Sequence, residues 1–396
     1  MIDGPRCRPA RWALLSVVLA GTATSARSDG TQDVPAEAPN RPLAFEDGHD
    51  LPPGRDDPVD RAVQSGLDFL ARDLTTQASG RVSLGAPEYE APVGLTALAA
   101  LAFMAGGSTP NRGPHQRSLV RTLEYLLEHQ VPAEEPAAGF IDATEDLQSR
   151  MHGHGLAVLA LTQAYTLSPN SPRGERIYEA VRMGIRRIEE AQGQDGGWYY
   201  DPLPVDLTEG SVTVCVLQAL RGARNCGFQV DSSVIARAVA YVKTLQDEQG
   251  GFMYSPTQPT TSIGLTAACL STLHAIGIYE GAVVEDGYLY VWKGLTERDD
   301  RRAKGEFGGE SRFPFYERFY LSQALWQNPD EEVFRRWWRD EAPRLLTAQR
   351  EDGSWPDRRY DGGGRRIEGR YGSAYSTSMN VLVLSVPAGR LPIFQR

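Results

Sequence analysis

From residue 59 onward the chain alternates two kinds of helical segment. In the first kind, apolar residues recur at helical spacing opposite Arg, Glu and Asp: Val63, Leu67, Leu70 and Leu74; Leu119, Leu123, Leu126 and Leu127; Ile177, Val181, Ile185 and Ile188; Ile235, Ala238, Val242 and Leu245. Such stripes predict helices with one face in water. In the second kind, at 94–104, 155–165, 212–220, 264–276, 319–326 and 377–386, Ala, Leu, Val and Thr occupy nearly every side. Helices without a polar face belong inside a fold.

A turn separates each pair. The stretches QGQDGGW (192–198), QDEQGGF (246–252) and QREDGSW (349–355) all fit Q-x-x-x-G-x-[WF], with weaker copies at 77–82, at 139–140 and, degenerately, around 305–307. The marker glycines Gly80, Gly139, Gly197, Gly251, Gly305 and Gly353 are 59, 58, 54, 54 and 48 residues apart. A repeat of this size, with one outer and one inner helix per unit, predicts six helical hairpins in an all-α fold. Their alternation suits closure into an (α/α)6 barrel, with an open solenoid as the rival. Closure is favoured because the last inner segment (Met379, Val381, Leu382, Val383, Leu384) carries no polar capping face and needs the first hairpin to cover it. Within the turn, the Gln is expected to satisfy carbonyls left open at the end of the outer helix, the Gly to allow positive φ, and the aromatic to cover the neighbouring hairpin. Gln192, Trp198, Gln246, Phe252, Gln349 and Trp355 are therefore assigned to stability.

Ahead of the repeats, Arg6, Arg8 and Arg11 precede an apolar run at 12–20 and small residues at 21–26, the pattern of an export signal cleaved near Ser25 or Ala26. The run is about half the ~20 residues a bilayer span requires, so no span is expected in the mature chain. Residues 27–58 hold six prolines and eight acidic residues, with too little apolar surface to offset the entropy of ordering, and read as a tether. The expected product is an exported protein, periplasmic or secreted, with a single toroid domain over 59–396. Its 41 Lys plus Arg against 51 Asp plus Glu give −10, or −12 once residues 1–26 are removed. That charge, with no concentrated basic stripe, argues against a nucleic-acid partner. Cys7 lies in the signal, and the odd remainder, Cys215, Cys226 and Cys269, argues against a disulfide framework.

The three full turn motifs, each between an amphipathic and an apolar helix, resemble the QW repeats of the squalene and oxidosqualene cyclase and protein prenyltransferase β-subunit superfamily. The likeness covers nearly all of 59–396. The His-Gly-His-Gly-Leu start of the second inner helix and the terminal Leu-Pro-Ile-Phe-Gln-Arg further resemble exported bacterial "prenyltransferase and squalene oxidase repeat" proteins. The resemblance implies a toroid whose wide mouth is lined by the segments between each turn and its inner helix. It does not carry a reaction across. The D-x-D-D acid of the cyclases is missing, Asp206-Leu-Thr-Glu209 being a counterpart in a suitable place with the wrong spacing. The Asp-x-Cys of the prenyltransferase zinc site and the Gly-Cys-Gly-Glu-Gln of thioester domains are also missing. No cofactor or metal is implied.

The polar residues on the mouth segments are Glu88, Tyr89 and Glu90; His152 and His154; Asp206 and Glu209; Tyr316, Glu317, Arg318 and Tyr320; Tyr371, Tyr375 and Ser376. His152, His154, Asp206 and Glu209 are the candidate acid–base residues, since His and carboxylates exchange protons near neutral pH when their surroundings tune them. Tyr316, Glu317, Arg318, Tyr320 and Tyr375 are candidate ligand contacts. Each has a plainer reading: Asp206 and Glu209 as helix caps, the histidines as residues on different helix faces, the tyrosines as core, and Glu317 with Arg318 as a solvated rim. The inner helices offer few aromatics, namely Phe103, Phe319, Tyr320 and Trp326, which is thin for cation stabilisation. The expectation is therefore a cavity that binds an apolar, isoprenoid- or lipid-like small molecule, or an envelope protein. The alternatives are a divergent terpene-cyclase-like enzyme with Asp206 or Glu209 as its acid, and a polysaccharide lyase or hydrolase with His and Tyr at the mouth.

Overall fold

The computed structural model describes residues 57–77, 79–85, 89–146, 149–306, 311–360 and 365–395. The expected export signal, the tether up to residue 56, Glu88 and Phe307 lie outside the described residues. The outer helices are α1 (Pro58–Thr76), α3 (Gln116–Glu128), α5 (Pro172–Glu190), α7 (Ser232–Thr244), α9 (Ala282–Ala303) and α11 (Glu331–Ala348). The inner ones are α2 (Pro92–Ala105), α4 (Met151–Leu167), α6 (Gly210–Asn225), α8 (Ile263–Ala275), α10 (Pro314–Trp326) and α12 (Gly372–Ser385). α1 starts inside the expected tether, because Asp57 accepts the Val59 N–H at 2.8 Å and Pro58 suits a first helical position. Every residue of α2 is buried, whereas α1 buries only a stripe built on Val63, Leu67, Leu70 and Leu74.

Each inner helix packs on the next and α12 packs on α2, while α1 meets α11 and α12. The fold is an (α/α)6 toroid, not an open solenoid. Two short antiparallel hairpins interrupt it: β1 (Met253–Ser255) with β2 (Gln258–Thr261) ahead of α8, and β3 (Arg358–Tyr360) with β4 (Arg366–Glu368) ahead of α12.

The turns join the ring. Gln192 Nε2 donates to Gly196 O and to Val234 O of α7, both at 2.9 Å. Gln246 Nε2 donates to Gly250 O at 3.1 Å and to Val283 O of α9 at 2.9 Å. Gln349 Nε2 donates to Gly353 O at 2.9 Å and to Ala62 O of α1 at 2.8 Å. The bond that links successive hairpins thus also links the last to the first. This corrects the expected role of the Gln, which reaches the next outer helix rather than the end of its own. That end is served by the indole instead: Trp198 Nε1 donates to Ile188 O and Trp355 Nε1 to Leu345 O, both at 2.8 Å. Gly196 has φ 96°, and a Cβ there would lie 2.4 Å from Arg237 O, so the turn admits glycine alone. At the other end of the ring the C-terminal segment ties α10 to α2. Trp326 Nε1 donates to Phe394 O at 2.7 Å and Arg390 Nη1 to Ala105 O at 3.2 Å.

Candidate active site on the toroid axis

Which side chains reach the axis is set by a register repeated at the start of the inner helices. A threonine there accepts the backbone N–H of its own turn: Trp198 N to Thr213 Oγ1 at 2.9 Å, Phe252 N to Thr266 Oγ1 at 3.0 Å, Trp355 N to Thr377 Oγ1 at 3.0 Å and Val82 N to Thr96 Oγ1 at 3.4 Å. In the second hairpin His154 takes that place. Its Nδ1 accepts from Ile141 N at 3.0 Å and its Nε2 lies 3.1 Å from Gly184 O, an arrangement that assigns the proton to Nε2. Two residues before each of these positions, on the opposite side of the helix, stand Gly94, His152, Ser211, Gly264, Tyr316 and Tyr375. Those with side chains, His152, Ser211, Tyr316 and Tyr375, are partly exposed in otherwise buried helices, and so is Leu156 one turn deeper. They share one axis-facing register, and the space among them is termed the axial basin. Its floor comprises the buried Cys215, Tyr320 and Met379, and below them Gln218 Nε2 donates to Gln323 Oε1 at 2.7 Å between α6 and α10.

The segments leading into the inner helices add the rings of Tyr89 and Tyr371 to those of Tyr316 and Tyr320 on α10 and Tyr375 on α12. Tyr89 and Tyr371 have centroids 6.1 Å apart, Tyr371 and Tyr375 5.1 Å, Tyr316 and Tyr320 4.7 Å. The lining is therefore aromatic, which corrects the count made on the inner helices alone. Tyr200 and Tyr254 were not among the expected residues. Each stands two places after a turn aromatic, Trp198 or Phe252, a spacing that could have found them.

Glu209 closes the N-terminus of α6. Its carboxylate accepts Ser211 N at 2.7 Å, Val212 N at 2.5 Å and Ser211 Oγ at 2.8 Å, and the residue is 1% exposed. Burial outweighs the hydrogen bonds and pushes the carboxyl up to about 7. Burial first, and the Glu209 charge second, push up the Tyr200 phenol, the Tyr254 phenol to about 12, and the thiols of Cys215 and Cys269. These groups therefore share one environment. Burial holds His152 down to about 4, so its ring is neutral at pH 7, and Cys215 donates to its carbonyl at 3.6 Å. The Tyr316 hydroxyl, buried in the same environment, has no hydrogen-bond partner among the described residues.

Other expected residues sit elsewhere. His154 is held between two hairpins as described, packed against Phe140 with centroids 5.1 Å apart. Asp206 is exposed on the segment before α6. Glu317 and Arg318 face away from the axis, Glu317 pairing with Arg298 of α9 and Arg318 with Glu341 of α11, both at 2.5 Å. The cause is register, since Arg318 holds the position that the threonines hold in other hairpins. Tyr320 lies on the floor, and the Ser376 hydroxyl is spent on Trp355 O at 2.6 Å. Among the described residues no three His, Cys, Asp or Glu are placed to hold a metal, and no helix is long and apolar enough to cross a membrane.

No family model matches the chain, and no curated protein matches it by sequence. Solved structures do match. A D-mannose isomerase is 12% identical over 83% of this chain and 96% of its own, with a TM-score of 0.59. An inactive variant of the α-1,6-mannanase GH76A of a Salegentibacter species is 11% identical over 83% and 98%, with a TM-score of 0.57. The type II terpene cyclase MstE from Scytonema is 17% identical over 84% and 99%, with a TM-score of 0.53. Such likeness establishes the toroid, a fold that these enzymes share across different chemistries.

Proposed function

We propose that this protein is a toroid enzyme that moves a proton on an uncharged, hydroxyl-bearing ligand seated in the axial basin, a sugar residue in the simplest case, with Glu209 as the proton-exchanging group. The observation that carries this reading is the contrast between two equivalent caps. Ser262 closes α8 with an exposed hydroxyl that accepts Leu265 N at 3.1 Å, whereas the same position before α6 holds a buried carboxyl. Capping alone does not call for a buried carboxyl. A group that titrates near neutrality suits proton transfer in either direction at pH 7. The surrounding phenols stay protonated as hydrogen-bond donors, and their rings offer flat faces for stacking.

The same properties weigh against the neighbouring chemistries. A carboxyl titrating near 7 is too weak an acid to protonate a carbon–carbon double bond, and tyrosines whose phenols are pushed up make poor bases for a lyase. A basin floored by the buried Cys215, Tyr320 and Met379 is closed to a long apolar chain running down the axis. An isoprenoid-like ligand is the second reading, favoured by Leu203, Leu207 and Phe313, each 54% exposed on the segments before α6 and α10. In that case the head enters the basin and the tail rests outside it. Export, argued from the arginine-flanked apolar segment within 1–26, belongs to the same proposal.

The test is incubation with neutral mono- and oligosaccharides in deuterated water, read as deuterium incorporation or bond cleavage by mass spectrometry. Wild-type protein is expected to act on at least one, and Glu209→Gln to be ~10²- to 10⁴-fold slower while still folded. A Glu209→Gln variant as active as wild type overturns the assignment.

A further inference from the structure

In a chain of net charge −10, residues 358–370 hold five arginines against two carboxylates. The expectation of no concentrated basic stripe fails here, because the excess of acidic residues over the whole chain masked a local run of arginines that the β3–β4 pairing folds into one ribbon. The register is Arg358↔Glu368, Arg359↔Ile367 and Tyr360↔Arg366. Strand alternation therefore puts Arg358, Tyr360, Arg366 and one carboxylate, Glu368, on one face of the ribbon, and Arg359 and Ile367 on the other. The Arg359 charge acts on Asp357 and Tyr371 at the edge of the basin, and its Nε has no hydrogen-bond partner among the described residues. Arg370 lies over the Tyr89 ring, 3.9 Å from its centroid.

On the other face, Tyr360 lines a cavity of about 180 Å³ between α9, α10 and α11, where Arg298, Arg318, Arg336 and Arg344 stand beside Asp299, Glu317, Asp340 and Glu341. Cationic side chains thus extend from the rim of the basin across the ribbon, up to a cleft whose own arginines are balanced by carboxylates. In the cleft Arg298 is committed to Glu317, Arg318 to Glu341, and Arg344 to Glu341 and Asp299. By contrast, among the described residues none of Arg358, Arg359, Arg366 or Arg370 makes a salt bridge.

We propose that this band binds the acidic residues of a polysaccharide and presents an uncharged sugar residue of the same chain to the axial basin. The inference rests on the reading of the basin as a sugar site. Guanidinium groups match carboxylate and sulfate oxygens in a fork geometry that a point charge lacks. Uncommitted guanidinium groups on both faces of a narrow ribbon fit a flexible chain that passes around it, whereas a flat bilayer meets one face at a time. Because the whole protein repels polyanions at long range, binding depends on close contact and weakens with salt.

Fluorescence anisotropy of the full chain with labelled polygalacturonate oligomers tests this, with neutral cello-oligosaccharides, single-stranded DNA and phosphatidylglycerol vesicles as competitors. Polygalacturonate is expected to bind in preference to all three. The double variant Arg358→Ser/Arg366→Ser is expected to weaken binding about tenfold, and Arg359→Ser to weaken it further, with circular dichroism unchanged. Arg339→Ser on α11, outside the band, should bind as wild type does. Absence of binding, displacement by DNA or vesicles as readily as by unlabelled polygalacturonate, or insensitivity to the ribbon variants overturns the proposal. Proton exchange on neutral sugars without affinity for polygalacturonate overturns the band and leaves the basin. Polygalacturonate binding without proton exchange by Glu209 overturns the basin and leaves the band.

Discussion

The third and fourth hairpins are built to one plan and differ where they face the axis. Both turns place a Gln on the carbonyl of the next outer helix, and both donate the turn aromatic's N–H to a Thr on the inner helix. Glycines of positive φ, Gly196 and Gly250, stand at the same point, each where a Cβ would strike a backbone carbonyl. Yet the axial positions read Glu209, Ser211 and Cys215 in one hairpin and Ser262, Gly264 and Ala268 in the other. Positions that hold the ring together are therefore repeated, and positions that face the basin are not. In a repeat fold, the departures from repetition are the positions at which to look for a site.

The largest effect should come from breaking the shared plan. Trp198→Ala is expected to cost ~3–5 kcal/mol, and Phe252→Ala a similar amount, as a falling urea midpoint at constant m. An unchanged midpoint for either would remove that turn from the stabilising set.

Next comes the pH dependence that distinguishes Glu209 from Ser262. Native Glu209 titrates near 7 and an unfolded glutamate near 4.5. Between these values the native state holds the extra proton, so stability falls as pH rises from about 4.5 through 7, by on the order of 3 kcal/mol. Glu209→Gln should flatten that decline in a series of melts. His152 and His154 act in the opposite sense. Their native values near 4 lie below the ordinary 6.5, so their contribution is present above about 6.5 and is lost as pH falls toward 4.

A smaller effect is expected when the second hairpin is made to resemble the others. His154→Thr should cost ~2 kcal/mol through lost ring packing and leave turnover unchanged. A large loss of turnover in a stable His154→Thr protein would return that histidine to the site. The smallest stability change belongs to Glu209→Ser, which copies the α8 cap and should alter stability by less than ~1 kcal/mol at pH 5. The same variant should lose turnover, which separates the capping role from the proton-exchanging one.

The toroid was legible in the sequence because wholly apolar and amphipathic helices alternate with a recurrent turn, and each of those signals has a direct physical cause. The axial site was only partly legible. Reading the inner helices from 155, 319 and 377 begins them four to five residues late, since Met151, Pro314 and Gly372 open turns with polar residues that face a basin. That displacement made Glu317 and Arg318 read as mouth residues when the register turns them outward. Tyr316 and Tyr375 were named for their chemistry rather than for the axial facing that the register gives them. Aligning Gly94-Leu95-Thr96, His152-Gly153-His154, Ser211-Val212-Thr213, Gly264-Leu265-Thr266, Tyr316-Glu317-Arg318 and Tyr375-Ser376-Thr377 separates axial from outward positions without any structure. The Arg298–Glu317 and Arg318–Glu341 pairs were not legible, because their partners lie on outer helices 19 and 23 residues away.

The most direct test is a carbon-13 titration of the glutamate side-chain carboxyls, with Glu209 assigned by its loss in Glu209→Gln. A midpoint near 7 that moves when a neutral saccharide binds is expected of a buried proton-exchanging group in a ligand basin. A midpoint in the ordinary carboxylate range, indifferent to saccharides, would make Glu209 a helix cap and nothing more.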